Sequence, residues 1–192
     1  SLHDALPIFA EEKAYLVKDV PGGEYRPIFY SQVKKDVDAL GTRLIDLGLK
    51  GAKIAVIGEN SYKWVVSYLG TVNGTGVVVP LDRELPPKEI IHLLERAGVS
   101  AIIYSKKLED TVEIALSQVE GVQYRICMST EEHEDSILSF DRLIEEGQAL
   151  IDQGDKRFID APIDREAMCS LLFTSGTTGL AKGVMLSHKN IS

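Results

Sequence analysis

The sequence predicts an α/β fold, a doubly wound, mostly parallel sheet with helices on both faces. Two observations carry this. Short apolar runs without polar alternation, such as residues 53–58 and Val77–Leu81, read as strands buried on both faces. Between them lie segments whose apolar residues recur every three or four positions, the stripe of an amphipathic helix. Strand followed by helix followed by strand requires crossovers, and short right-handed crossovers favour an open doubly wound sheet. At 192 residues the chain has the length of one domain, read here as a single incomplete one.

The first helical stripe is Val33, Val37, Leu40, Leu44 and Leu47, with Ser31 as the expected N-cap and Gly48 as the stop. A strand over residues 53–58 follows. Ser61 then caps a second helix carrying Trp64, Val65, Tyr68, Leu69 and Val72, which Gly74 and Gly76 end. After the strand Val77–Leu81, Pro86 and Pro87 open a third helix, where the missing N–H costs nothing. Ile90, Ile91, Leu93, Leu94 and Ala97 form its buried face, and Gly98 closes it. Ala101–Tyr104 is the next strand, residues 108–119 a helix, and residues 124–128 another strand. Residues 130–136 are acidic and predict a loop, residues 138–150 a helix anchored by Phe140, Leu143 and Ile144, and residues 152–166 an exposed connection.

Lys and Arg number 21 and Asp and Glu 29, a net charge of −8. Such an acidic chain is poorly suited to nucleic acid, which selects a basic face, or to anionic lipid. No apolar run reaches the roughly 18 residues of a membrane helix. Cys127 and Cys169 sit in apolar runs without metal-ligand spacing, which predicts buried free thiols in a reducing compartment and a cytoplasmic location. Residues 1–8, SLHDALPI, match the translation of a sequencing adapter and are expected to be an artefact; residues 9–192 are expected to be a partial domain truncated at its C-terminal end.

The chemistry concentrates in residues 168–188, MCSLLFTSGTTGLAKGVMLSH. An apolar run leads into Thr174, Ser175, Gly176, Thr177, Thr178, Gly179, Leu180, Ala181, Lys182 and Gly183, and a second apolar run, residues 184–186, follows. Glycines allow several backbone N–H groups to converge on one anion, hydroxyls add donors, and Lys182 adds a point charge suited to phosphate oxygens. This is no Walker A loop, because Lys182 stands three residues after Gly179 and precedes a strand-like run.

TSGTTGLAKGVMLSHKNI closely resembles the phosphate loop of the AMP-forming acyl-adenylate synthetases. That family includes acyl-CoA synthetases, peptide-synthetase adenylation domains and firefly luciferase. The stretch from Asp36 to Ser105 also resembles the family's N-terminal subdomain, with the turn Gly58, Glu59, Asn60, Ser61 and the segment Pro80, Leu81, Asp82 in the usual places. Leu180, Ala181 and Lys182 stand where the family more commonly has x-Pro-Lys, and with LSHKNI after them this stretch looks most like bacterial long-chain fatty acid–CoA ligases. The resemblance implies that a carboxylate attacks the α-phosphate of Mg-ATP, giving acyl-adenylate and pyrophosphate, and that the CoA thiol then displaces AMP. It implies that Thr174, Ser175, Gly176, Thr177, Thr178 and Gly179 wrap the β- and γ-phosphates and that Lys182 is the catalytic lysine that neutralises the leaving pyrophosphate. The family's magnesium-binding Glu, ribose-binding Asp and C-terminal lysine have no counterpart here. No metal ligand is therefore expected within this chain, and the chain alone is expected to be inactive.

The expected partners are ATP, a fatty acid and CoA, with no nucleic acid and no transmembrane segment; a lipid-handling role of the parent enzyme is compatible with peripheral membrane contact, and nothing in these residues shows it. Two other readings fit the same loop: an adenylation domain of a peptide synthetase, and a non-catalytic nucleotide-binding protein that kept the fold. Other residues promise less. His188 reads as a helix-start residue. His92 and His133 lack partners at a useful spacing. Glu131, Glu132, Glu134 and Asp135 lack the spacing of a calcium loop. Trp64, Tyr62 and Tyr68 read as core and helix surface rather than a stacking platform.

Overall fold

The protein is represented by a computed structural model that describes residues 9–18, 22–174 and 181–191. Residues 1–8, and with them the expected artefact, lie outside the described residues. Nine strands and six α-helices follow one another along the described chain: β1 (Lys13–Val17), β2 (Arg26–Phe29), α1 (Tyr30–Asp46), β3 (Lys53–Ile57), α2 (Tyr62–Gly70), β4 (Val77–Leu81), α3 (Pro87–Ala97), β5 (Ala101–Tyr104), α4 (Glu109–Leu116), β6 (Tyr124–Cys127), β7 (Ile137–Ser139), α5 (Phe140–Asp152), β8 (Met168–Thr174), β9 (Lys182–Ser187) and α6 (His188–Ile191).

Seven strands form one sheet in the order β7-β6-β5-β3-β4-β8-β9, parallel throughout except for the antiparallel pair β8/β9. The chain steps from β3 to β4, then returns over β3 to β5 and β6, which is the reversal of a doubly wound sheet. Strand periodicity divides the core in two. Ile54, Val56, Val78 and Ile103 pack with Val37, Leu40, Leu44, Val66 and Leu143 of α1, α2 and α5. Ala55, Ile57, Val79 and Ile102 pack with Ile90, Leu94, Val112 and Ala115 of α3 and α4. Both faces are covered, which explains why these strands read as unbroken apolar runs.

Ser61 caps α2 as expected, its side chain accepting from the Trp64 N–H at 3.2 Å. Gly98 ends α3 in the left-handed region at φ 64°, a conformation open to a residue without Cβ. Ser31 does not cap α1. The helix begins at Tyr30 without a side-chain cap, because the Tyr30 and Ser31 amides donate to the carbonyls of Glu12 and Ala10, both at 3.1 Å. Those carbonyls belong to a segment that runs into β1, which pairs antiparallel with β2 in a small separate sheet. That ribbon was not expected from the pattern.

Three further expectations are corrected. Residues 137–139 form a short strand on the far edge of the sheet, so α5 starts at Phe140 rather than 138, with the Ser139 hydroxyl accepting from the Arg142 N–H at 3.3 Å. Three residues are too few to show a period of two. The helix expected over 108–119 spans Glu109–Leu116; beyond it the Ser117 hydroxyl donates to the Ile114 carbonyl at 2.7 Å and the chain leaves the helix. The connection 152–166 carries a fully buried residue, Phe158.

Phe158 anchors that connection in a cradle built by glycines. A Cβ on Gly41 of α1 would lie 2.1 Å from its Cε2, and a Cβ on Gly74 would lie 3.2 Å from its Cδ2. A second close approach joins α1 to α5, where a Cβ on Gly147 would lie 1.9 Å from the Ala39 carbonyl oxygen. Both contacts fix the segments that lead into β8.

Candidate functional site

The strand that carries the predicted loop enters the sheet through one parallel contact, Val78 of β4 opposite Ser170 of β8. Cys169 beside it is buried, and its thiol donates to the Leu186 carbonyl at 3.5 Å. Burial pushes this thiol above its ordinary pKa, which suits a packing residue rather than a nucleophile. Beyond Ser170 the β8/β9 ribbon runs on with Leu171 opposite Met185, Leu172 opposite Val184, Phe173 opposite Gly183 and Thr174 opposite Lys182.

The two faces of this ribbon differ. Leu171 and Phe173 pack against the α3/α4 side of the core, as does Ala181. Gly183 lies across from Phe173, and a Cβ there would come within 3.3 Å of Leu171 Cδ1. Side chains alternate along a strand, so Thr174 and Lys182 share the opposite face as a cross-strand pair. Both are exposed. The Arg96 guanidinium, from the last turn of α3, donates to the Ala181 carbonyl and ties the returning limb to that helix.

Thr174 and Lys182 are thus opposite one another in the register at the neck of the loop, on the same face of the last pair of the ribbon. Ser175, Gly176, Thr177, Thr178 and Gly179 lie outside the described residues. The donor set at the neck suits an anion: neutral hydroxyl, cation, and no carboxylate on the same ribbon.

The resemblance placed two further turns in register with the family, and both follow parallel strands. Glu59 follows β3, with Lys107 3.8 Å away. Burial pushes its carboxyl up, but a hydrogen bond from its own backbone and the charges of Lys107 and Arg83 counter that, and it is held below the usual range. Asp82 follows β4 and accepts from the Glu84 N–H at 2.9 Å, a local turn.

The remaining candidates fall elsewhere. His188 begins α6, where burial lowers its pKa and Asp164 only partly opposes this. His92 is exposed on α3. Trp64 and Tyr68 stack at 5.6 Å and pack partly buried on the α1/α2 side of the core, and Tyr62 donates to Asp36 at 2.7 Å. His133, expected to lack a partner, has two, Glu146 and the Ser139 amide. The sequence could not show this, because the contact joins a loop to the second turn of a helix that follows a strand. Among the described residues no group of three His, Cys, Asp or Glu side chains could hold a metal, and no helix is long and apolar enough to cross a membrane.

The chain is similar to a mitochondrial medium-chain acyl-CoA ligase of Homo sapiens, 27% identical over 185 residues, covering 84% of this chain and 29% of that protein. It is similar to a long-chain-fatty-acid–CoA ligase of Thermus thermophilus, 26% identical, covering 98% and 32%. It is also similar to surfactin synthase subunit 1 of Bacillus subtilis, 28% identical, covering 94% of this chain and 4% of that protein. Among solved structures, an anthranilate CoA ligase in complex with anthranoyl-AMP superposes with a TM-score of 0.82 at 25% identity, over 98% of this chain and 34% of that one. A luciferase of Phrixothrix hirtus shares the fold with a TM-score of 0.82 at 17% identity, over 98% and 35%. The chain spans about a third or less of each of these proteins. The family model for AMP-binding enzymes matches residues 9–192, and with the fold and the loop-bearing ribbon it establishes that the chain belongs to this family, the AMP-forming synthetases.

Proposed function

We propose that this chain is the N-terminal part of an AMP-forming acyl-CoA synthetase that activates a long-chain fatty acid with ATP and transfers it to CoA. The observation that carries the reading is the pairing of Thr174 with Lys182 at the neck of the glycine- and hydroxyl-rich loop. Thr174, Ser175, Gly176, Thr177, Thr178 and Gly179 would hold the β- and γ-phosphates of ATP, and Lys182 would bear on the leaving pyrophosphate. Positioned donors and a fixed cation act where charge develops, which is the main lever in such transfers. Magnesium would be held by residues outside this chain, and supplies charge neutralisation on the phosphates when bound. Long-chain preference is supported by the sequence after the loop and by the match to the Thermus thermophilus ligase. The chain alone is expected to form no thioester. Two buried free thiols fit the reducing compartment, and hence the cytoplasmic location, that belongs to this reading.

In the complete enzyme, Lys182→Ala lowers acid-dependent ATP–pyrophosphate exchange at least about tenfold, since one preorganised donor typically contributes about 2.7–4 kcal/mol to the barrier. Unchanged exchange removes the role given to Lys182. The similarity to surfactin synthase over most of this chain favours a second reading, a peptide-synthetase adenylation domain. Exchange driven by amino acids and not by fatty acids would select it. Exchange with neither class leaves the non-catalytic nucleotide-binding reading.

A further inference from the structure

His133 is held by both ring nitrogens. The Ser139 backbone N–H donates to its Nδ1 at 3.0 Å, and its Nε2 lies 3.0 Å from Glu146 Oε1. The first contact sets the tautomer. A nitrogen that accepts from an amide carries no proton, so the proton of the neutral ring sits on Nε2 and is donated to the carboxylate. Ser139 is also where the loop meets the helix: its hydroxyl donates to the Thr130 carbonyl at 2.7 Å and accepts from Arg142 at the start of α5. Ser139 is 0% exposed, so its N–H has no water to turn to if the imidazole withdraws.

The charged groups of the loop, and of the elements tied to it or to Glu146 by hydrogen bonds and ion pairs, come from the loop itself, α5, α1 and β6. The loop supplies Glu131, Glu132, Glu134 and Asp135. From α5 come Glu146, Glu145 and Arg142, the arginine bound to Glu132 at 3.2 Å and Glu145 at 2.5 Å. From α1 come Arg43 and Asp46, with Arg43 bridging Glu146 at 2.8 Å and Asp46 at 2.6 Å. From β6 comes Arg125, paired with Glu113 at 2.6 Å and bonded to Ser136. Each of these arginines has a carboxylate partner, so none stands as an uncompensated cation against an imidazolium.

We propose that His133 is a pH-operated latch: neutral, it pins the loop 130–136 to the N-terminus of α5 through the Ser139 amide, and protonated at Nδ1 it releases that amide. Protonation places N–H against N–H, which the buried amide accommodates only by local opening. The bond to Glu146 survives the change, and the Ser139 hydroxyl still holds Thr130, so the loop loosens without unfolding the helix. The latch is the first link of a line of ion pairs. Glu146 meets Arg43, Arg43 meets Asp46, Asp46 meets Arg157 at 3.1 Å, and Arg157 meets Asp155 at 2.5 Å. That line ends in the connection that leads into β8.

The test is NMR on the 15N-labelled full chain. Ring 15N shifts of His133 report the tautomer, and Ser139 amide exchange, corrected for intrinsic rates, is followed from about pH 8 to about pH 5.5, across the usual range of a histidine. The expected result is the Nε2–H tautomer at the upper pH and a fall in Ser139 protection of about tenfold, tracking the ring titration, as befits loss of one hydrogen bond. His133→Gln offers an acceptor and a donor without titrating, and is expected to make Ser139 protection independent of pH. An Nδ1–H tautomer at the upper pH, flat Ser139 protection in the unsubstituted chain, or an unchanged pH dependence in His133→Gln each overturns the proposal. Should His133→Gln fail to fold, the tautomer and the Ser139 profile of the unsubstituted chain decide it.

Discussion

Replacing Gly41 by alanine sets two effects of opposite sign against each other. In the interior of an exposed helix, Gly→Ala stabilises by about 0.8–1 kcal/mol, because glycine has more backbone freedom to lose. Here the new Cβ would stand 2.1, 2.3 and 2.5 Å from Cε2, Cδ2 and Cζ of Phe158. No real Cβ sits that close to carbon, so the ring must leave its cradle, and overpacking of this kind costs about 1–3 kcal/mol and sometimes more. The steric effect wins, and Gly41→Ala is expected to destabilise the chain by about 1–2 kcal/mol net. Phe158→Ala empties a fully buried site and is expected to cost about 3–5 kcal/mol. In the Phe158→Ala background the clash is gone, only the helix-propensity effect remains, and adding Gly41→Ala should stabilise by about 1 kcal/mol. The assay is urea denaturation of the four chains of this double-mutant cycle, with midpoints compared at constant slope. The diagnostic is the change of sign. If Gly41→Ala stabilises the unsubstituted chain, or destabilises both backgrounds equally, Phe158 does not occupy the cradle and the connection before β8 is not anchored by it.

Two other substitutions test the packing and the charges around α1. Gly147→Ala drives a Cβ into the Ala39 carbonyl oxygen, a backbone atom that cannot rotate away, so α1 and α5 must separate; a loss of about 2–3 kcal/mol in urea denaturation is expected, and a neutral result refutes the close approach. Tyr62→Phe removes the hydroxyl that donates to Asp36. Burial holds the Asp36 carboxyl above its usual pKa, and the hydrogen bonds from Tyr62 and Gln32 only partly offset this. A raised carboxylate costs stability once the pH passes its unfolded pKa, and that cost is complete above the folded one. Loss of the Tyr62 donor raises it further. Tyr62→Phe should therefore destabilise by about 1–2 kcal/mol near neutrality and by less near pH 3, where Asp36 is protonated in both states. An equal loss at both pH values would show that the hydroxyl does not act on the charged carboxylate.

The fold class and the family were legible in the residues because both rest on local patterns. Strands covered on both sides must be apolar at every position, so Val77–Leu81 and Ala101–Tyr104 stand out with their observed bounds. A phosphate loop needs its glycines, hydroxyls and lysine consecutively, so residues 174–183 carry their signature without any fold. What required the tertiary structure are contacts between segments far apart in the chain. Ser31 looked like a cap because a helix start favours serine, yet the carbonyls of Ala10 and Glu12 take that role from a ribbon whose short strands show no period. Phe158 looked exposed because its neighbours are polar, and only the glycines of α1 and the turn after α2 make room for it. His133 looked unpartnered because no spacing along a loop foretells a carboxylate two turns into the helix beyond the next strand. The pairing of Thr174 with Lys182 belongs to both levels: the residue types were written in the loop, and the antiparallel register of β8 and β9 set them opposite one another. Local rules act over a few residues, whereas burial and electrostatics act through space, and space is arranged only when the chain has folded.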